Sequence, residues 1–378
     1  MKTARKTRIY HIHTDEKFVE GTKKFDSDMF ENTVIFIGKR KSFEMNMLHY
    51  SSSKASINEI LKICNDKAEI VVMHGLDLGK AYICNRLNGN VLVLWRFFGS
   101  ELYVRNKMDF YSTKTKLILS KNSRGLLSVL TKGMNKLRLM MKWGLQYKKE
   151  LGNARPHFIL CTSEEEHRFL IHNYKSIPEL IILPFSPISN KLPPKECKEN
   201  HIIVGNSRSP FNNHADIIEI ISHADFRKKY KYIFPLSYGK DLSYSTSILS
   251  SFPKDLDIIS LNDFVPKTDY YHMFQRAKML VINSYRQHAV GNILMAISMG
   301  AIVYLNDRNP IYHFLIRNQI QVFSITDFQK HLATECIPDI QTILENNYKK
   351  LALITSLDAQ YRFQVTISEK YVMFRKGH

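Results

Sequence analysis

Two stretches in the back half of the chain combine residue types and spacing suited to anion chemistry. Ile202-Ile203-Val204 runs into Gly205-Asn206-Ser207, and Leu280-Val281-Ile282-Asn283 runs through Arg286-Gln287-His288-Ala289-Val290 into Gly291-Asn292. Each reads as a buried strand, a small loop and the start of a helix. The first turn of a helix has unpaired N–H groups and the positive end of the helix dipole, so it holds phosphate without a metal. Glycine lets the backbone approach closely, Asn and Ser donate to phosphate oxygens, and Arg286 would neutralise charge. A nucleotide diphosphate is the ligand such a pair of loops suits. Taken alone, Asn206 and Ser207 are also ordinary helix caps.

Metal-binding patterns are weak by comparison. Asp255-Leu256-Asp257 precedes a strand pattern instead of following one, and Asp26-Ser27-Asp28 falls in a polar loop. His11-Ile12-His13 places two imidazoles on one face of a strand, a position taken by core or cleft histidines far more often than by ligands. Cys64, Cys84, Cys161, Cys197 and Cys336 are odd in number and contain no CxxC pair, which argues against a disulfide framework or thiolate zinc. No metal and no cofactor are expected, and a reducing cytoplasm fits best.

The elements that would position these loops are legible as apolar runs. In the front half they are Ile9 to His13, Val34 to Ile37, Ile70 to Met73, Val91 to Phe97, Phe158 to Cys161 and Leu180 to Leu183. In the back half they fall near Ile202 to Val204, Tyr232 to Pro235, Asp257 to Ser260, Met279 to Asn283 and Ile302 to Leu305, with helices between. Near-continuous apolar runs are the mark of parallel strands covered on both faces, and alternating βα units give doubly wound sheets. With 378 residues, the chain suits two domains of roughly 100–200 residues each. The Pro-bearing linker Lys191 to Glu196 puts the boundary at 195. The expected order is a Rossmann-like domain over 1–195, a second over 196–360, and a C-terminal helix or tail over 361–378 packing back on the first.

The composition is that of a folded protein, with 44% hydrophobic and 24% charged residues, and no apolar run approaches the roughly 20 residues of a membrane span. The formal net charge is +19, and Arg105 to Lys149 holds twelve Lys or Arg against the single acid Asp109. Leucines, methionines and Trp143 alternate with these cations at helical spacing. The segment reads either as a solvated surface helix or as a basic amphipathic helix on an anionic membrane surface, with Lys132, Lys136, Arg138, Lys142 and Trp143 in contact. Nucleic acid is not the expected partner, because the cations lack interleaved aromatics and no nucleic-acid motif is present.

Several runs bear a collinear likeness to one family. Ile202 to Ser207 with His214 resembles the "ILVGNS…N-H" segment of the bacterial TDP-N-acetylfucosamine:lipid II N-acetylfucosaminyltransferases of enterobacterial common antigen synthesis. Arg286-Gln287, Gly291, Gly300-Ala301-Ile302, Asn306, Arg308, Asn309 and Pro310 resemble its "RQQGIG…AGIP…LNRENP" run; Phe98 to Tyr103 looks like its "WGADLY", and His74-Gly75 like its "HG". The resemblance implies a GT-B glycosyltransferase, an α/β protein of two Rossmann-like domains facing across a cleft. It would move an amino- or deoxy-sugar from a nucleotide diphosphate, dTDP- or UDP-linked, to a lipid-linked glycan at the inner face of the cell membrane. Inverting transfer needs a general base. Glu101 takes the place of the family's aspartate, Asp77 is the rival, and His74 is a third candidate. Tyr238 and Phe264 would flank the nucleotide base, and Asn306 would touch donor sugar or ribose. Many retaining GT-B enzymes carry two glutamates across the loop that here runs from Asn283 to Asn292, and here that loop holds no acid, which tilts the reading toward inversion. The rival readings are a transferase acting on a soluble glycan or protein, a basic nucleic-acid-binding protein, and a nucleotide-sugar-binding scaffold without activity.

Overall fold

The computed structural model describes residues 5–39, 47–103, 106–122, 134, 137–144, 147–186, 198–336 and 338–377. The chain forms two compact units. The first comprises Met1–Arg105, Leu127–Ser186 and Leu357–His378, the second Asn106–Leu126 and Pro187–Ser356. Asn106–Leu126 lies inside the span expected to form the front domain, yet it groups with the second unit. Hydrogen bonds explain this: Ser112 donates from its backbone N to Asn213 Oδ1 at 2.8 Å and from Oγ to Asp216 Oδ2 at 2.5 Å. The helix Thr113–Asn122 then packs on helices His214–His223 and Leu242–Ser250.

In the first unit seven parallel strands form one sheet: β1 (Thr7–His13), β2 (Phe30–Ile37), β3 (Leu48–Tyr50), β4 (Ile70–His74), β5 (Leu92–Arg96), β6 (Phe158–Cys161) and β7 (Glu179–Ile182), in the order β3-β2-β1-β4-β5-β6-β7. All five residues of β4 are buried, as expected of a central strand covered on both faces. The helix Lys54–Lys67 covers part of the sheet. Ser53 caps it, its side chain accepting from Ser56 N, and Ile57, Ile60 and Cys64 fall on one helical face. The helix Leu357–Lys376 also belongs here. Its Phe363, Ile367 and Tyr371, four residues apart, enter the core with Ile9, Phe25, Ile70, Leu92 and Leu160. Gln364 fixes its register by donating to the carbonyls of Lys24 and Asp26 at 3.0 and 2.9 Å.

The second unit has six parallel strands: β8 (Glu199–Val204), β9 (Lys231–Pro235), β10 (Asp257–Leu261), β11 (Ala277–Ile282), β12 (Ile302–Leu305) and β13 (Phe323–Ser324), in the order β10-β9-β8-β11-β12-β13. Ile202, Val204, Tyr232, Phe234, Met279, Val281, Ile302 and Tyr304 form its core with Ile217, Ile221, Tyr244 and Ile248. In both sheets the strand order reverses beside the first strand, between β1 and β4 and between β8 and β11. Crevices for ligands open at the carboxyl ends of strands at such reversals.

The C-terminal helix is a test of what closes the first core. Phe363 is 3% exposed, so Phe363→Ala should lower unfolding free energy by about 3–5 kcal/mol in urea denaturation. A loss below about 1 kcal/mol would show that this helix adds little to the core.

Candidate functional site

In the second unit the reversal is built around Gly205, which leaves β8 at φ +73. A Cβ there would sit 2.5 Å from His214 Nε2, so both the backbone angle and the imbedded imidazole require glycine. His214 opens its helix behind Asn213, itself left-handed at φ 47. Asn213 is fully buried and ties three segments together: its Nδ2 donates to the carbonyls of Phe110 and Asn283, both at 3.1 Å, and its Oδ1 accepts from Ser112. Asn283, at the end of β11, accepts through Oδ1 from Asn306 Nδ2 at 2.8 Å. An asparagine network thus locks the carboxyl ends of β11 and β12 to the helix that follows β8.

The loop after β11 leads to helix Val290–Ser298 through Ala289, a non-glycine residue at φ 58, and no side chain caps the helix start. Gly291 is exposed, and a Cβ there would meet nothing outside its own helix within 4 Å, while Asn292 donates to the Tyr270 hydroxyl at 2.8 Å. Arg286 and Gln287 are each 9% exposed, and the Arg286 guanidinium lies 4.3 Å from the Phe211 ring centroid. Ser207 is buried, its Oγ accepting from Asn212 Nδ2 at 3.2 Å, and Asn206 beside it is half-buried. Tyr238 and Phe264, beyond β9 and β10, are 62% and 87% exposed, so neither ring is core packing. His214 Nε2, His288 Nδ1, Asn212 Oδ1 and Asn309 Nδ2 are buried polar atoms without a protein partner, and they belong to residues of this end of the sheet or of the helix start after β12. Unsatisfied groups of this kind are costly unless something else meets them.

In the first unit His74 ends β4, Asp77 follows it at the reversal, and Glu101 follows the neighbouring β5. His74 is buried and both ring nitrogens are engaged: Nε2 lies 3.0 Å from His11 Nδ1, and Nδ1 lies 3.4 Å from Arg96 Nη1. The chain of bonds fixes the tautomers. Asn32 Nδ2 donates to Phe25 O and Asp26 Oδ1, so its Oδ1, 3.0 Å from His11 Nε2, is an acceptor. His11 therefore carries its proton on Nε2 and accepts from His74, which in turn accepts from Arg96. His13 stacks on His74 at a centroid distance of 3.7 Å. Burial holds all three rings neutral: His11 is lowered to about 4, His13 to about 2, and His74 well below its usual value.

Asp77 caps helix Leu78–Cys84, its Oδ1 accepting from Lys80 N at 3.1 Å, and its Oδ2 pairs with Lys80 Nζ at 2.9 Å. Burial pushes its pKa upward, but the charge and hydrogen bonds of Lys80 outweigh this and hold it below the usual range. Glu101 differs. Its Oε1 accepts from Trp95 Nε1 and Phe98 N, both at 3.3 Å, yet desolvation dominates and raises its pKa. Gly75, at φ +74, leaves room for it; a Cβ there would meet Phe98 at 3.2 Å and Glu101 Oε1 at 3.4 Å.

Of the expected membrane contacts, Lys132 and Lys136 lie outside the described residues. Arg138 is exposed, on a helical turn with Leu137 and Met141, which are 57% and 74% exposed. Lys142 and Trp143 face the other way: Lys142 donates to the Ser52 carbonyl, and Trp143 packs 5.6 Å from the Tyr82 ring. Trp143 is half-buried, with Tyr82 and Gly79 against part of its ring. Asp255 and Asp257 pair with Arg227, Lys228 and Lys231. Among the described residues no cluster of three His, Cys, Asp or Glu could hold a metal ion, and no helix is long and apolar enough to cross a membrane. Sequence reasoning missed Arg96, Lys24 and Lys80; a cation interrupting the apolar run Val91 to Phe97 was the one available signal for the first.

The model of the 4-alpha-L-fucosyltransferase family, glycosyl transferase group 56, matches residues 162–362, more than half of the chain, and leaves His74, Asp77 and Glu101 outside the match. No curated protein matches the chain. Among solved structures it is similar to Anabaena HepE in complex with UDP and glucose, with TM-score 0.64 and 9% identity over 97% of this chain and 100% of that one. It is similar to sucrose-phosphate synthase from Thermosynechococcus elongatus, with TM-score 0.61 and 10% identity over 99% and 100%. An alpha-glucosyltransferase in complex with UDP and a 13-mer DNA gives TM-score 0.57 and 11% identity over 96% and 99%. The shared architecture is the GT-B fold, α/β with two parallel-sheet Rossmann-like domains.

The neutral histidines set a pH dependence. An unfolded chain protonates them below about 6.5, whereas folded His11, His13 and His214 resist until about 4, 2 and 3. The unfolded state therefore binds more protons, and stability falls on acidification by up to about 1.4 kcal/mol per pH unit for each ring. Urea denaturation between pH 7 and 5 should show this steep loss; a flat profile would mean the rings charge freely in the folded state.

Proposed function

The chain belongs to the 4-alpha-L-fucosyltransferase family, glycosyl transferase group 56, and on that premise we propose its reaction. It moves an amino- or deoxy-sugar, N-acetylfucosamine-like, from a nucleotide diphosphate sugar to a lipid-linked glycan at the cytoplasmic membrane face, with inversion and without a metal. The observation that carries this reading is the uncapped start of helix Val290–Ser298, which follows β11 at the strand reversal of the second sheet. Its free N–H groups, with Arg286, suit a diphosphate leaving group. Ala289 in the left-handed region adds support, since such strain persists at sites that use it. Tyr238 and Phe264 would offer exposed ring faces to a dTDP or UDP base, and Asn306 would touch donor sugar or ribose.

Glu101 is the base of this mechanism. A base works best with a pKa near the operating pH, and desolvation moves Glu101 in that direction while Lys80 moves Asp77 away from it. His74 has no lone pair left for a substrate, since its Nδ1 accepts from Arg96. Glu101 takes the proton of the acceptor hydroxyl as that oxygen attacks the anomeric carbon, and the nucleotide diphosphate departs with its charge held by the helix start. One displacement inverts the anomeric centre. Loop 283–292 holds no carboxylate to support a retaining route.

Membrane docking falls to the exposed stripe of Met134, Leu137 and Met141 with Arg138. Residues four apart on a helix share a face, so this stripe suits the acyl boundary while the cations meet anionic headgroups.

Replacing Glu101 by Gln should leave nucleotide binding intact and reduce turnover by about 10²-fold or more, with EDTA changing neither. If Asp77→Asn is the dead variant and Glu101→Gln remains active, the base is Asp77; if chelation abolishes donor binding, the metal-free reading fails. For docking, Leu137→Gln with Met141→Gln should weaken binding to vesicles containing anionic phospholipid while donor hydrolysis in solution is unchanged. Equal vesicle binding, or full activity on a water-soluble acceptor alone, favours a soluble glycan or protein as the acceptor.

A further inference from the structure

Arg96, Lys24 and Lys80 gather at the carboxyl ends of β1, β4 and β5, and one carboxylate is paired among them. Lys80 uses it: its Nζ, 1% exposed as a residue, reaches Asp77 at 2.9 Å, Thr14 Oγ1 at 2.9 Å and the His74 carbonyl at 2.7 Å. Lys24 donates to the Pro184 carbonyl. Arg96 lies 3.4 Å from His74 Nδ1 and 4.9 Å from the Phe98 ring centroid. Among the described residues neither Lys24 nor Arg96 has a carboxylate in ion-pair range. Glu101, the other nearby acid, is held by Trp95 and Phe98.

Two further features make this a built site. Gly21 of helix Glu16–Phe25 lies directly against the Arg96 guanidinium, which would have to move to admit a Cβ there. His13 is 1% exposed; its Nε2 lies 3.1 Å from the Thr22 hydroxyl, and its Nδ1 is buried without a hydrogen-bond partner. A buried ring nitrogen without a partner, beside the Arg96 guanidinium that has no carboxylate of its own, offers a donor to an oxyanion when the ring carries its proton on Nδ1.

We propose that Arg96, Lys24 and His13 form an oxyanion site that receives a phosphate of the acceptor, an assignment that rests on the lipid-linked acceptor proposed above. The guanidinium fork suits two phosphate oxygens, Lys24 supplies a point charge, and His13 Nδ1–H the remaining donor. Burial lowers Lys24 to about 7 and Arg96 to about 10, and a bound anion would reverse both shifts. The neutral relay from Arg96 through His74 and His11 to Asn32 holds the fork in place.

The test reads the rings directly. Protein labelled with ¹⁵N-histidine is saturated with UDP or dTDP, which occupies the second unit, and inorganic pyrophosphate is then titrated. His13 and His74 ring signals should shift saturably, and Arg96→Gln and Lys24→Met should each weaken that binding at least tenfold. If Arg96→Gln does not fold by circular dichroism, Lys24→Met carries the comparison. Unmoved His13 and His74 signals at millimolar pyrophosphate, shifts confined to His214 and His288, or unchanged affinity in the variants would overturn the site. A short-chain prenyl diphosphate binding at least tenfold tighter than inorganic phosphate assigns the anion to the acceptor; equal affinity overturns that assignment in favour of free phosphate. No turnover is needed, so a protein that transfers sugar without moving His13 loses this site alone, and one that binds pyrophosphate here without transferring sugar loses the transferase reading.

Discussion

Parallel strand pairing is the constraint on which the rest of the molecule depends. Because the strands of each sheet point the same way, every loop that leaves a carboxyl end emerges on one edge, and every helix that follows presents its N-terminus there. The edge accumulates unpaired N–H groups whatever the sequence does. Chemistry is added by the residues that occupy the reversal point, where the loops diverge: glycine and asparagine in one unit, histidine and cation in the other.

The two reversals are electrostatically unlike. In the second unit the polar residues are mostly uncharged, and Asn213, Asn283 and Asn306 spend their amides on one another and on the backbone, which makes that edge rigid. In the first unit the histidines are kept neutral by burial while the cations around them remain. A ring that stays neutral beside Arg96 can accept its N–H and aim it. The same neighbours would make protonation of that ring unfavourable, so His74 positions and does not titrate.

Much of the fold was legible because burial on both faces writes itself as apolar runs, and β4 and β11 are nearly pure examples. The edge strands β3 and β13, three and two residues long and only partly buried, leave no such trace. Gly205 was readable from its place after Val204, since a glycine leaving a buried strand has few other uses. The partners of polar side chains were not readable. Periodicity puts Trp143 on an apolar stripe but cannot say that Tyr82 covers it, and nothing local ties Ser112 to an asparagine 101 residues away. Sequence pattern reports which face is dry; long-range hydrogen bonds decide which unit a segment joins.

The helix Leu357–Lys376 has a consequence for how the polypeptide matures. Phe363, Ile367 and Tyr371 complete a core whose other walls come from residues before Ser186, and nearly the whole second unit is encoded between them. On the ribosome the second unit's six strands are all available before those three side chains are made, whereas the first unit waits with Ile9, Ile70 and Leu92 incompletely covered. The inserted unit can therefore reach its native state earlier, and the amino-terminal sheet, although translated first, is the later of the two to close. Its exposed apolar surface during that interval is where a chaperone would be needed.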